Sequence, residues 1–122
     1  MKKILFIEDE PTLQKAISRF LEQEGYQVMN ALDGDLGLEI AKKEKPDLIL
    51  LDIILPKKDG FEVLKGLKED ETTKDIPVIF LTNLEGDDDV EKALSLGATT
   101  YLVKANYKLE EITKKIEETL GQ

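Results

Sequence analysis

The stretch Asp47-Leu48-Ile49-Leu50-Leu51-Asp52 decides the fold. Its unbroken apolar row is too short for a helix and lacks the alternation of a strand with one wet face. It reads as a strand buried on both faces, as in a parallel sheet covered by helices. Working outward, similar runs recur, giving strand candidates Lys3–Ile7, Gln27–Ala31, Asp47–Leu51, Pro77–Leu81 and Thr100–Val103. Helix-period segments lie between them. Leu13, Ala16, Ile17, Phe20 and Leu21 mark one apolar stripe, and Leu109, Ile112, Ile116 and Leu120 mark another. Gly25 and Gly97 stand just past such stripes, where helices commonly stop in a left-handed residue. Asp87-Asp88-Asp89 precedes a further helix, and its charge suits the positive end of the helix dipole. The polar stretch Lys65–Asp75 reads as fraying into a loop. Strand–helix alternation of this kind predicts an α/β domain with a parallel sheet and right-handed crossovers.

Composition sets limits on function. The 122 residues fit one domain, taken here as 1–122, with no linker, internal repeat or low-complexity segment. A hydrophobic fraction of 41% is ordinary for a globular core. Lys and Arg number 17 against 26 Asp and Glu, for a net charge of −9. That balance repels nucleic acid and anionic membrane, so neither is expected as a direct partner. The sequence has no cysteine and no histidine. Thiolate and imidazole metal sites, imidazole bases and a phosphohistidine on this chain are thereby excluded. The run Ile4-Leu5-Phe6-Ile7 after Met1-Lys2-Lys3 is too short for a signal peptide or a membrane span, and the chain is read as cytoplasmic.

In parallel α/β sheets, ligands bind beyond the carboxyl ends of the strands. The first strand ends in Glu8-Asp9-Glu10, the third in Asp52, the fourth in Thr82-Asn83 and the fifth in Lys104. One sheet edge therefore gathers carboxylates, a hydroxyl and an ammonium. Crowded carboxylates repel unless a cation offsets them, and oxygen donors without His or Cys select a hard ion, best met by Mg2+. A phosphoryl group in transfer spreads charge over three oxygens, which a metal, Lys104 and Thr82 can match. Asp52 is then the nucleophile that forms an acyl phosphate, while Glu8 and Asp9 hold the metal. Singly, each of these residues reads more simply. Asp52 is a solvated turn residue, Thr82 a strand-end β-branched residue, Lys104 a surface lysine and Tyr101 a half-buried aromatic. Glu10, before Pro11 at the first helical turn, is assigned to the helix lead-in.

The combined pattern resembles a bacterial response-regulator receiver domain of the CheY-like kind over the whole chain. The resemblance is carried by Glu8-Asp9, by the segment from Asp52 through Ile54, Pro56 and Lys57 to Asp59-Gly60, by Thr82-Asn83, and by Tyr101 three residues before Lys104. It implies a flavodoxin-like, five-stranded doubly wound sheet in the order 2-1-3-4-5, flanked by five helices. It implies phosphoryl transfer from a sensor histidine kinase, or a phosphotransfer protein, to Asp52. Mg2+ would be held by Glu8, Asp9, Asp52 and the backbone carbonyl of Ile54. Thr82 and Tyr101 would act as a switch that reshapes the surface around the fourth and fifth helices. The resulting partners are a downstream target or an appended output domain, with a phosphorylation-dependent homodimer on the same face. Thr12 and Leu13 open the first helix, where this family usually meets its kinase. The role is that of a phosphoacceptor switch, active only in its own phosphorylation and slow dephosphorylation.

Two departures from the family pattern follow. Proline usually follows the lysine there, often after a cis bond, but here Ala105 does, and a non-proline cis bond costs roughly 3 kcal/mol. The resemblance therefore leaves the peptide and the loop after Lys104 open. Ile54 and Leu84, two residues beyond Asp52 and Thr82, cannot position a hydrolytic water, which predicts slow loss of the phosphoryl group. Ile54 also argues against a dehalogenase-type phosphatase or mutase, which needs a second carboxylate there. A flavodoxin-like cofactor site would want a hydroxyl- and glycine-rich first loop, whereas Glu8-Asp9-Glu10-Pro11 repels phosphate. No Gly-x-x-x-x-Gly-Lys-Ser/Thr loop occurs. The ending at Gly121-Gln122 suits both a single-domain regulator and a receiver joined to a DNA-binding output domain.

Overall fold

A computed structural model describes residues 1–121 and alternates strands with helices along the chain. The elements are β1 (Lys3–Ile7), α1 (Pro11–Gln23), β2 (Gln27–Ala31), α2 (Gly34–Glu44), β3 (Leu48–Leu51) and α3 (Gly60–Lys68). They continue as β4 (Val78–Thr82), α4 (Asp87–Ser95), β5 (Thr100–Val103), a 3-10 turn (Lys104–Asn106) and α5 (Leu109–Leu120). The strands pair in parallel in the order β2-β1-β3-β4-β5, as the resemblance implies.

Side chains alternate across the sheet and split the core in two. Leu5, Ile7, Ile49, Leu51, Val78 and Phe80 face one way and pack with Ala41, Val63, Leu64, Leu67 and Ala93 of α2, α3 and α4. Ile4, Phe6, Leu48, Leu50, Ile79, Leu81 and Leu102 face the other way and meet Ile17 and Leu21 of α1 and Ile112 and Ile116 of α5. Every residue of β3 is fully buried, in keeping with its unbroken apolar run. Full burial of one such Leu or Ile contributes about 1.5–3 kcal/mol relative to exposure.

Two strands start one residue later than their runs indicate. Asp47 gives its N–H to the Lys3 carbonyl at 2.8 Å, while its carboxylate takes the Lys3 N–H at 2.7 Å, so regular pairing begins at Leu48. Pro77 has no N–H to contribute; β4 runs from Val78 to Thr82 and pairs Thr82 with Val103. The α1 stripe is also rotated. Ala16 is exposed, whereas the polar Gln14 and Ser18 are buried with Ile17 and Leu21. Periodicity shows that a stripe exists, but packing against β2 sets its direction. Asp87, Asp88 and Asp89 form the first turn of α4 itself, after Gly86 at the N-cap. Gly25 and Gly97 have φ of 97° and 106°, the left-handed stops expected after α1 and α4.

The stretch read as a frayed loop is largely built. α3 continues to Lys68 with Leu67 fully buried, and Thr73 is buried with its hydroxyl donating to the Leu67 carbonyl at 2.7 Å. A polar run concealed one anchoring leucine and one anchoring threonine. Among the described residues no helix is long and apolar enough to cross a membrane.

Candidate functional site

The chain leaves β1 toward β2 on one side and later returns to β3 on the other. The carboxyl ends of β1 and β3 are therefore the switch point where this fold opens a crevice. Pairing runs one step past each strand: the Glu8 N–H donates to the Ala31 carbonyl at 3.0 Å, and the Asp52 N–H to that of Ile7 at 3.1 Å. Glu8 and Asp52 are thereby carried on the rigid sheet and not on free loops. Carboxylate oxygens of Glu8, Asp9 and Asp52 lie within 4.8 Å of one another. Asp9 is exposed, while Glu8 and Asp52 are only 1% and 6% exposed. Together with Glu10, Ile54, Thr82, Asn83 and Lys104 they line a cleft of about 280 Å³.

Lys104 supplies the charge that lets two buried acids coexist. Its Nζ donates to Asp52 Oδ2 at 2.9 Å and lies 2.5 Å from Glu8 Oε1. The Glu8 contact is an ion pair without hydrogen-bond alignment, so Oε1 keeps no aligned donor. The other Glu8 oxygen accepts the Glu10 N–H at 3.1 Å, and Asp52 Oδ1 accepts that of Ile53 at 2.7 Å. Burial pushes Glu8 above the usual carboxylate range despite the pull of Lys104. Burial pulls Lys104 down, but its contacts with Asp52 and Glu8 prevail and raise it above the usual ammonium value.

One ammonium against three carboxylates leaves two negative charges uncompensated. With an all-oxygen donor set, this fits a hard divalent cation in contact with water. The peptide bond after Lys104 is trans, as are all those described, and β5 passes directly into the 3-10 turn. Lys104 reaches both acids without the family's proline.

Thr82, 1% exposed, faces the cleft from the end of β4. Its Oγ1 accepts a long hydrogen bond from the Leu84 N–H at 3.5 Å. The Leu84 carbonyl in turn accepts the Tyr101 hydroxyl at 2.8 Å. Tyr101 is half-buried, with its ring 5.9 Å from that of Phe80. Burial, with the charges of Asp89 and Asp52, pushes its phenol up to about 12. Ile54 is 63% exposed beside the cleft. Thr12 is exposed and Leu13 half-buried on α1.

Two supports complete the site: Asp59-Gly60, which reads in sequence as a turn that shapes it but without its capping partner Glu62, and Gln14, which the sequence does not single out. Asp59 caps α3 in a reciprocal pair with Glu62, and Gly60 lets that helix start against the end of β3, donating its N–H to the Ile53 carbonyl at 2.7 Å. The Asp59-x-x-Glu62 spacing was the signal available for the cap. The second support is Gln14, whose amide reaches the β1 corner and for which helical periodicity gave no signal.

Fold and cleft together define a parallel α/β domain with an acidic, cation-seeking site at its switch point. The chain belongs to the response regulator receiver domain family, whose model matches residues 4–117. It is 42% identical over 120 residues to the DNA-binding dual master transcriptional regulator RpaA of Synechocystis sp., covering 98% of this chain and 49% of RpaA. It is 38% identical over 104 residues to protein PilH of Pseudomonas aeruginosa, covering 85% of this chain and 86% of PilH. The chain thus spans about half the length of RpaA and most of PilH. Among solved structures, the receiver domain of the Pseudomonas aeruginosa sensor histidine kinase PA1611 superposes with a TM-score of 0.90 at 30% identity, covering 99% of this chain and 98% of that one. That structure is described with a magnesium ion coordinated in the active-site cleft. The chain is a response-regulator receiver domain, homologous to two-component regulators. Phosphorylation on aspartate and Mg2+ binding are typical of the family.

Proposed function

We propose that this receiver takes a phosphoryl group from the phosphohistidine of a sensor kinase or phosphotransfer protein onto Asp52, and presents it as a changed surface to a downstream target. The observation that carries the reading is the meeting of Glu8, Asp9 and Asp52 with Lys104 at one sheet edge. Asp52 attacks phosphorus with a carboxylate oxygen; an O–P bond forms, the P–N bond breaks, and the imidazole leaves with that electron pair. Lys104 pairs with one phosphoryl oxygen after exchanging its contact with Asp52, and the Thr82 hydroxyl donates to another. Glu8, Asp9, Asp52 and the Ile54 carbonyl are the assigned holders of Mg2+, which supplies the remaining charge stabilisation when bound.

When Thr82 turns to the phosphoryl group, its contact with Leu84 is given up, and Tyr101 follows as the second half of the switch. The reshaped face spans α4, β5 and α5, where an effector, an output domain or a second copy would dock. Ile54 and Leu84 place no group that can activate water, so the phosphorylated form is long-lived. A cytoplasmic location follows from this kinase-linked role.

The test is incubation with a small phosphodonor or beryllofluoride plus Mg2+, read by mass spectrometry or NMR, for wild type and Asp52→Asn. Wild type is expected to gain one adduct that persists for minutes or longer, and Asp52→Asn none. An adduct of equal yield on Asp52→Asn sinks the assignment, and decay within seconds sinks the claim of slow hydrolysis.

A further inference from the structure

Gln14 is an amide on the face of α1 that otherwise packs Ile17 and Leu21 against the sheet, and it is only 7% exposed. A buried polar group in such a place needs partners, and this one has carbonyl oxygens. Its Nε2 lies 2.9 Å from the Ala31 carbonyl, 3.2 Å from that of Glu8 and 3.3 Å from that of Phe6. Two amide hydrogens are thus shared among acceptors at the carboxyl ends of β1 and β2.

These acceptors sit where regular support for the acidic corner ends. The Ala31 oxygen already takes the Glu8 N–H at 3.0 Å, so Gln14 binds the same oxygen that pins the stem of Glu8. The Glu8 carbonyl belongs to the peptide that links Glu8 to Asp9. Gln14 therefore also holds the plane from which Asp9 projects. Against this hold stands the repulsion of three clustered carboxylates that one ammonium only partly offsets.

We propose that Gln14 is a positioning residue: its amide holds the Glu8–Asp9 corner in its cation-binding geometry, and so sets the Mg2+ affinity of the receiver. The inference rests on the function proposed above. A partner one step behind a metal ligand commonly changes affinity 10–100-fold when removed.

The experiment measures Mg2+ binding to the full chain by isothermal titration calorimetry, for wild type, Gln14→Met and Ser18→Ala. Methionine keeps the length and volume of Gln14 but donates nothing. Ser18 lies one turn along the same face, and its hydroxyl donates to Asn30 Oδ1 at 2.8 Å, away from the corner. Gln14→Met is expected to weaken Mg2+ at least tenfold, while saturating Mg2+ restores the full yield of beryllofluoride adduct. Ser18→Ala is expected to lower the melting temperature and leave Mg2+ affinity within twofold of wild type. Folded Gln14→Met that binds Mg2+ within twofold of wild type overturns the proposal, as does an equal loss in Ser18→Ala. Should Gln14→Met not fold, Gln14→Asn, whose amide stops one methylene short, is judged by the same threshold. A wild type that binds no Mg2+ sinks the function proposed above instead, so the two failures are distinguishable.

Discussion

At the scale of the residue, the decisive side chain is Lys104, because removing it leaves two buried acids facing each other. Lys104→Met is expected to cost about 3–5 kcal/mol of stability at pH 7, as for other broken buried ion pairs. Glu8 already stands above its unfolded value, so stability is lost as the pH rises through its folded pKa and regained below it. The deficit of Lys104→Met should therefore shrink in acid; urea denaturation at pH 7 and pH 4.5 checks both statements, and an equal deficit at the two values contradicts them. Tyr101 makes the second case. Its phenol is pushed from 10.0 up to about 12 by burial and by the charges of Asp89 and Asp52, so its contribution is complete below pH 10 and vanishes as the pH approaches 12. Tyr101→Phe should flatten the alkaline fall in stability, measured by melts between pH 9 and 12; parallel curves for the two proteins would rule this out.

At the scale of the element, the site depends on helices that start very close to strand ends. A methyl group at Gly60 would sit on the Asp52 carbonyl oxygen and 2.7 Å from the Ile53 Cα, and backbone cannot give way as a side chain tip can. Gly60→Ala is expected to destabilise by roughly 1–3 kcal/mol and to lower the rate of adduct formation, as read by chemical denaturation and by phosphodonor kinetics. Unchanged values for both would contradict the close approach. This position also shows what a sequence conveys and what it withholds. Asp59-Gly60 is plainly a turn, yet nothing in the dipeptide tells that the end of β3 lies against it. Likewise Asp52, Thr82 and Lys104 were legible because each ends an apolar run, and parallel strands align such ends by construction. Gln14 was not, because a polar residue at helical spacing is read as facing water. Only the rotation of α1 toward β2 turns it inward. The Asp47 carboxylate on the Lys3 N–H and the missing N–H of Pro77 each move a strand start by one residue, an effect of pairing that hydropathy does not show.

At the scale of the whole molecule, the sheet brings together groups from four strand ends, and a ligand that binds only the folded arrangement must stabilise it. Mg2+ at a hundred times its dissociation constant is expected to add about 2.7 kcal/mol, read as a rise in melting temperature that Asp9→Asn removes. Equal melting temperatures with and without saturating Mg2+ would refute this. One connection from cleft to outer face passes through the backbone of Leu84, whose N–H donates to Thr82 and whose carbonyl, in the next peptide group, accepts from Tyr101. The two arms differ, at 3.5 Å and 2.8 Å, so the inner one yields easily while the outer one holds. In the language of circuits, Leu84 is a node with a high-resistance input and a low-resistance output. Breaking the long inner bond costs little, and release of the outer one requires the backbone of Leu84 itself to move. On the proposed switch, a displacement that turns both peptides flanking Leu84 would register at both terminals at once, a threshold where a uniform chain of equal bonds would give only a graded leak.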